Sequence, residues 1–414
     1  MKSIHRIAGM ACLIMAWGSF CYSHDDWPGW RGADRTDVSR ESGLMQTWPE
    51  GGPKKVWENV NCGLGYAGFS VVDNRLYTLG SEEGREFALC LDAATGKEQW
   101  RVEVGDNFQN QWGDGPRSTP TVDGDHVYFM AANGNLACLH RQTGQVKWTV
   151  SMVQLGGAVP QWGYAESPLI DQDQVICTPG GSQGAIAALD KATGKLIWQC
   201  AELTSPAHYS SVIVANWNNR RQYIQLLVDA VVGVDADSGK LLWSSPWRGR
   251  IAVIPTPIFW EGKVYVTSGY DIGSKMVELT DDGAEELWAN KVMKNHHGGV
   301  IQIGDHVYGF SDGNGFLCQS LETGEMVWTA RRAISKGAVS YADGRFYFIQ
   351  EEDGLVLLIE ADESGWQERG RFTLEPQTER RKPQGRIWVH PVIANGKLYL
   401  RDQEIICCYD IKSN

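Results

Sequence analysis

Six times along this chain an apolar strand end runs into a short polar turn and emerges on a tryptophan. The phrase reads LDAATGKEQW from Leu91 to Trp100, LHRQTGQVKW from Leu139 to Trp148, LDKATGKLIW from Leu189 to Trp198, VDADSGKLLW from Val234 to Trp243, LTDDGAEELW from Leu279 to Trp288 and, shortened, LETGEMVW from Leu321 to Trp328. Within it Asp92 can bond its own backbone, Gly96 supplies the positive φ of a tight turn, and Trp100 returns a large ring to the sheet. Recurrence at this spacing overrides the two or three domains that 414 residues would otherwise suggest. The chain is an array of one supersecondary unit.

The unit is legible in the second repeat. STPTV (118–122), HVYFMAA (126–132), LACLH (136–140) and KWTV (147–150) are four short strands separated by hairpin turns, the pattern of one propeller blade. No segment shows a sustained helical period, so helix content is expected to be very low. Trp57, Trp100, Trp148, Trp198, Trp243, Trp288 and Trp328 close successive fourth strands, and Arg369 takes the eighth place. Their expected role is structural. A buried indole removes about 150–250 Å² from water, a gross ~4–6 kcal/mol, and rings wedged between sheets would set the blade spacing.

The first fourth strand, GPKKVWENV, has no three strands before it, while HPVIAN, KLYLRD and EIICCYDI at the C-terminus have no fourth after them. One blade is therefore assembled from both ends, which leaves no open edge. The expected fold is all-β, an eight-bladed β-propeller of four-stranded antiparallel blades spanning residues 53–414. Seven blades is the alternative if the Arg369 repeat is degenerate.

Residues 1–23 read as a secretory signal: basic Lys2, His5 and Arg6, then an uncharged run from Ile7 to Phe20 too short to span a bilayer. An uncleaved anchor is the rival reading, and a lipid anchor is disfavoured by Phe20 before Cys21. Residues 24–52, with Trp27, Trp30 and Trp48, are expected to form an extension packing along the propeller. The chain carries 38 basic and 50 acidic residues, a net charge of −12, and no basic cluster interrupted by aromatics. Nucleic acid is therefore not an expected partner, and no further segment has membrane length. The expected product is an exported, periplasmic or extracellular monomer. Cys90, Cys138, Cys318 and Cys408 occupy one equivalent repeat position, where Ala188 and Gly233 stand elsewhere, so they are expected to pack as small buried side chains rather than to bridge.

Function is expected where fourth strands connect to the next first strands, at the mouth of the central channel. Those connections bring Tyr66; Trp112, Asp114 and Arg117; Trp162, Tyr164 and Glu166; His208 and Tyr209; Arg250; His296 and His297; Lys336; and Arg386, Trp388 and His390. As a binding pocket, the aromatics would stack a ligand while Arg117, Lys336 and Glu166 orient its polar groups. As a metal site, His208, His296 or His297, and His390 would converge, although no ligand-spacing motif supports this. As a plug, the same side chains would fill the channel. GLGYAG (63–68) precedes a strand with no helix behind it, so it is not read as a dinucleotide loop.

The repeat written A-L-D-x-x-T-G-K-x-x-W resembles the PQQ-like β-propeller superfamily, which includes quinoprotein alcohol dehydrogenases and BamB-type assembly factors. WPGWRGADRTDVSRESGL, GPRSTPTVDGDHVY and ESPLIDQDQVICTPGGSQG are similar to exported PQQ-like repeat proteins of environmental bacteria. The resemblance implies a non-catalytic binding or scaffolding module without cofactor, taking a protein partner or small ligand on its loop face. Its alternative is a PQQ- and calcium-dependent dehydrogenase of alcohols or sugars, with Glu166, His296 and His390 around the active site. A third reading is a carbohydrate or small-ligand binder using Trp112, Trp162 and Trp388. The dehydrogenases' calcium-binding set cannot be placed residue by residue here, and the adjacent pair Cys407 and Cys408 sits in the last strand rather than in a cofactor loop.

Overall fold

In the computed structural model, which describes residues 26–413, the repeated turn closes as its side chains dictate. Asp92 Oδ1 accepts hydrogen bonds from the Thr95 N–H at 2.9 Å and the Thr95 hydroxyl at 2.7 Å, and Gly96 adopts a φ of 70°. The expected leader at 1–23 lies outside the described residues.

Eight four-stranded antiparallel sheets stand around a central channel, and no helix occurs among the described residues. Seven sheets are consecutive in sequence. The eighth joins Lys54–Asn59 to Ile405–Asp410, with Trp57 opposite Cys408, so both ends of the chain share one blade. The blades are numbered here from 1 (70–106) to 7 (337–373), with this composite as blade 8.

The seven tryptophans tie neighbouring blades together. In six of them the indole N–H donates to a main-chain carbonyl in the third-to-fourth-strand turn of the next blade, as from Trp100 to Arg141 and from Trp148 to Lys191, both at 3.0 Å. The turn glycine lies flat on the indole: a Cβ at Gly194, where φ is 72°, would stand 2.8 Å from the Trp148 ring. Trp243 departs from the pattern and donates to Gln222 of its own blade at 2.6 Å. Blade 5 turns through the two-residue reversal Asp281-Asp282, as blade 7 does through Glu363-Ser364, where Trp328 still donates to Asp362 O at 2.7 Å. Opposite Trp100, Trp148, Trp198, Trp243 and Trp328 on the third strands stand Cys90, Cys138, Ala188, Gly233 and Cys318, small residues that leave room for the ring. All eight cysteines within the described residues are free and buried.

The N-terminal extension reaches the inner strands of several blades. It crosses the channel. Trp27 exchanges two 2.8 Å main-chain bonds with Val71 of blade 1, Val122 N–H of blade 2 donates to Pro28 O at 2.7 Å, and Ser39 N–H donates to Tyr341 O of blade 7 at 2.8 Å. Inner strands of three or four residues, such as Ser70–Val72 and Leu169–Asp171, leave carbonyls facing the channel, and buried arginines of the extension satisfy them. Arg35 donates to Ser167 O at 2.7 Å and Pro168 O at 3.2 Å, and Arg31 reaches Val300 O. The segment then leaves the channel, pairs Leu44 with Lys412, and lodges Trp48 against Phe372 before entering blade 8.

Candidate functional site

Each connection between blades runs from an outer strand to the next inner strand, so it must pass the channel mouth. Seven of the eight contribute to the lining of one cavity of about 300 Å³, floored by the extension through Trp30. Trp388 is its hub. Its ring lies 4.9 Å from Tyr66, 6.4 Å from Trp112 and 4.6 Å from His297, the last nearly parallel, while its N–H donates to Glu351 at 3.0 Å. Trp162 and Tyr209 pair across 5.8 Å, and Tyr270 meets His296 edge-on at 4.5 Å.

Arg117 lies beside this ring set, 5.5 Å from the Tyr66 ring, with its guanidinium donating to the Gly113 and Gly115 carbonyls. His390 links the wall to the extension: Nδ1 sits 3.1 Å from Asp37, which also pairs with Arg31 at 2.6 Å, and Nε2 lies 2.8 Å from His297 O. Burial pushes the Asp37 carboxyl up, but Arg31 and His390 outweigh it and hold it below its ordinary value.

Burial, reinforced by the Lys336 charge, pushes His296 down to about 3, so its ring is neutral. Its Nδ1 accepts from Lys336 at 2.9 Å, which leaves the proton on Nε2. That nitrogen and His297 Nδ1 have no hydrogen-bond partner. The site therefore offers stacking faces, one arginine charge and neutral imidazoles with unpartnered nitrogens.

Tyr66, Trp112, Arg117, Trp162, Tyr209, His296, His297, Trp388 and His390 line the cavity, and Asp114, Tyr164, Glu166, His208, Arg250, Lys336 and Arg386 do not. Six of these hold or border the walls. Asp114 pairs with Lys382 at 2.6 Å, which ties the 107–120 connection to the 374–391 connection. The Tyr164 hydroxyl donates to Pro179 O at 2.9 Å, and His208 Nδ1 faces the Val253 N–H at 3.3 Å. Glu166 accepts from Thr178 N–H and hydroxyl, and burial raises it to about 7. Lys336 bridges His296 and Asp312, Arg386 approaches Glu352 at 3.9 Å, and Arg250 points into solvent.

Trp30, Tyr270 and the small residues Gly68, Ala165, Ser211 and Ala252 line the cavity without having been singled out. Trp30 comes from the extension and Tyr270 from a hairpin turn, and neither belongs to a connection between blades. The channel itself is crossed by the extension. Among the described residues, no three His, Cys, Asp or Glu side chains are grouped to hold a metal ion.

A family model described as outer membrane protein assembly factor BamB matches residues 50–160 and 84–330. The chain belongs to this family. The BamB of Yersinia pestis is 23% identical over 366 residues, covering 79% of this chain and 84% of that protein. The solved BamB of Moraxella catarrhalis superposes with a TM-score of 0.61 at 15% identity, over 87% of this chain and all of that one, a likeness of fold. Quinohemoprotein alcohol dehydrogenase ADH IIB of Pseudomonas putida is 30% identical over 118 residues, 27% of this chain and 17% of that enzyme. The residues matched by the family model exclude Trp30, Lys336, Arg386, Trp388 and His390.

Proposed function

We propose that this protein is an exported, non-catalytic binding and scaffolding module whose working surface is the ringed mouth of its channel. The observation that carries the reading is the cavity itself, where seven indole and phenol rings from six connections or turns and the extension converge on one space. Aromatic surface of this kind is costly to keep at a water-facing opening unless something covers it. Membership of the BamB family, whose name denotes outer membrane protein assembly, supports a protein partner on that surface and an envelope location.

The dehydrogenase reading requires calcium beside PQQ. Calcium takes six to eight oxygen ligands, chiefly carboxylates and carbonyls. The lining residues supply rings, imidazoles, a guanidinium and one serine, with no carboxylate or carboxamide among them. This donor set does not fit the ion, and no chemical step is routed through either group. The partial similarity to ADH IIB concerns 17% of that enzyme and carries no activity across.

The test is a titration of the purified protein with PQQ and calcium, followed by an artificial-acceptor assay on mixed alcohols and sugars. The proposal predicts no substrate-dependent turnover at high micromolar PQQ. Saturable PQQ binding with turnover would replace it by the enzyme reading.

A further inference from the structure

The connection 247–257 is pinned at both ends and strained between them. Trp247 donates its main-chain N–H to Asp229 O at 2.8 Å and its indole N–H to Ser268 at 3.1 Å, and Gly249 N–H donates to Val228 O at 2.8 Å. On the far side Tyr209 N–H donates to Val253 O at 3.0 Å. Between these anchors Ile251 has a φ of 57° and is 54% exposed. A β-branched residue in the left-handed region is a conformational outlier, and an exposed isoleucine recovers little of that cost by burial in the free protein. Glycine would make the same turn without strain. Outliers of this kind cluster at functional sites, and the next residue, Ala252, already lines the cavity. Tyr270, on the facing hairpin of the same blade, is also left-handed, with a φ of 56°.

Two further observations say what the lip faces. Among the described residues, the exposed large apolar side chains Val60, Val153, Val159 and Ile251 all lie in connections around the mouth; the others are on the strands Lys54–Asn59, Val146–Ser151, Leu196–Gln199, Gly283–Asn290 and Met326–Ala330. None lies in a turn of the opposite face. Exposed apolar side chains thus stand on the mouth face outside the cavity, beyond what a ligand confined to about 300 Å³ would touch. Beside Ile251 stand Arg248 and Arg250, exposed and in no ion pair with a described residue, on a chain whose net charge is −12.

We infer that this lip docks an extended segment of a partner protein that presents a bulky aromatic side chain flanked by Asp or Glu. The ring seats in the cavity against Ala252 and Ile254, the neighbouring backbone runs over Ile251 and the rim, and the carboxylates meet Arg248 and Arg250. The inference rests on the mouth being the working surface and adds the chemistry of what it takes. Sugars are disfavoured because the lining offers no carboxylate or carboxamide to hydroxyl groups.

The probe is a fluorescein-labelled peptide, Gly-Ser-Asp-Glu-Phe-Glu-Asp-Ser-Gly, read by anisotropy with the full mature chain. Saturable binding is expected, weakened at least tenfold by alanine in place of the peptide's phenylalanine and by Ile251→Gly. The pair Arg248→Gln and Arg250→Gln should weaken it similarly and flatten its salt dependence. Because Ile251→Gly relieves the backbone, its melting temperature should be unchanged or higher, which separates lost docking from unfolding. No binding of the peptide, or unchanged binding by Ile251→Gly, overturns the inference. So does equal competition by free phenylalanine, which would mark a small-molecule pocket. If Trp388→Ala abolishes binding while Ile251→Gly does not, the lip falls and the mouth stands.

Discussion

Arg401 holds the seam of the ring where the chain's two ends meet. Fully buried, its guanidinium donates to Ala67 O at 2.9 Å, Leu79 O at 2.8 Å, Gly63 O at 3.0 Å and Gln403 O at 2.6 Å, joining blade 8 to blade 1. Arg401→Met keeps much of the volume and orphans these carbonyls. It should cost at least about 3 kcal/mol in chemical denaturation, given about 1–3 kcal/mol for a buried group left unpaired.

Glu86 and Glu166 give a second residue-scale prediction. Burial raises both to about 7, against an ordinary 4.5. Between those values the folded state holds protons that the unfolded chain has released. Their stabilisation is therefore full below about pH 4.5 and is lost as pH rises through about 7. Melting temperature followed from about pH 5 to about pH 8 should fall, and Glu86→Gln with Glu166→Gln should flatten that slope. At this scale the sequence revealed residue types but not their aim. Nine mouth candidates line the cavity, whereas Glu166 and Tyr164 turned out to support walls, because a buried carboxyl and a lining one look alike in a string of letters.

The repeating element is a tryptophan clasped by its neighbour's turn. Trp148, only 9% exposed and bonded to Lys191 O, should cost about 3–5 kcal/mol on replacement by alanine. Trp328 is less buried, and Trp328→Ala should cost clearly less in the same denaturant titration. Strand identity and order were legible because hydrophobic alternation and turn chemistry agree in every blade. The exception is LTDDGAEELW, whose glycine stands five rather than four residues before its tryptophan, and Trp243, the neighbour that faces this turn, bonds Gln222 instead.

At the scale of the whole molecule the eight-bladed ring and its closure followed from counting fourth strands. The crossing of the channel did not, because residues 26–45 have no period and their arginines bond to carbonyls far away in sequence. The extension gives the mouth a floor and leaves a second cavity of about 580 Å³ on its other side, bordered by Asp34, Arg40, Ile213 and Phe259. Replacing Arg31 and Arg35 by methionine should lower the melting temperature and raise amide exchange along 26–45 while the outer strands stay protected.

The central claim is that the ringed mouth, not the opposite face, is what this propeller uses. It is tested by placing a photo-cross-linking amino acid at Gln111, beside the mouth, or at Glu261, in a turn of the far face, and irradiating cells of the native host. The account predicts a discrete adduct from Gln111, reduced by Trp388→Ala, and none from Glu261. An adduct from Glu261 alone, or one from Gln111 indifferent to Trp388→Ala, would contradict it.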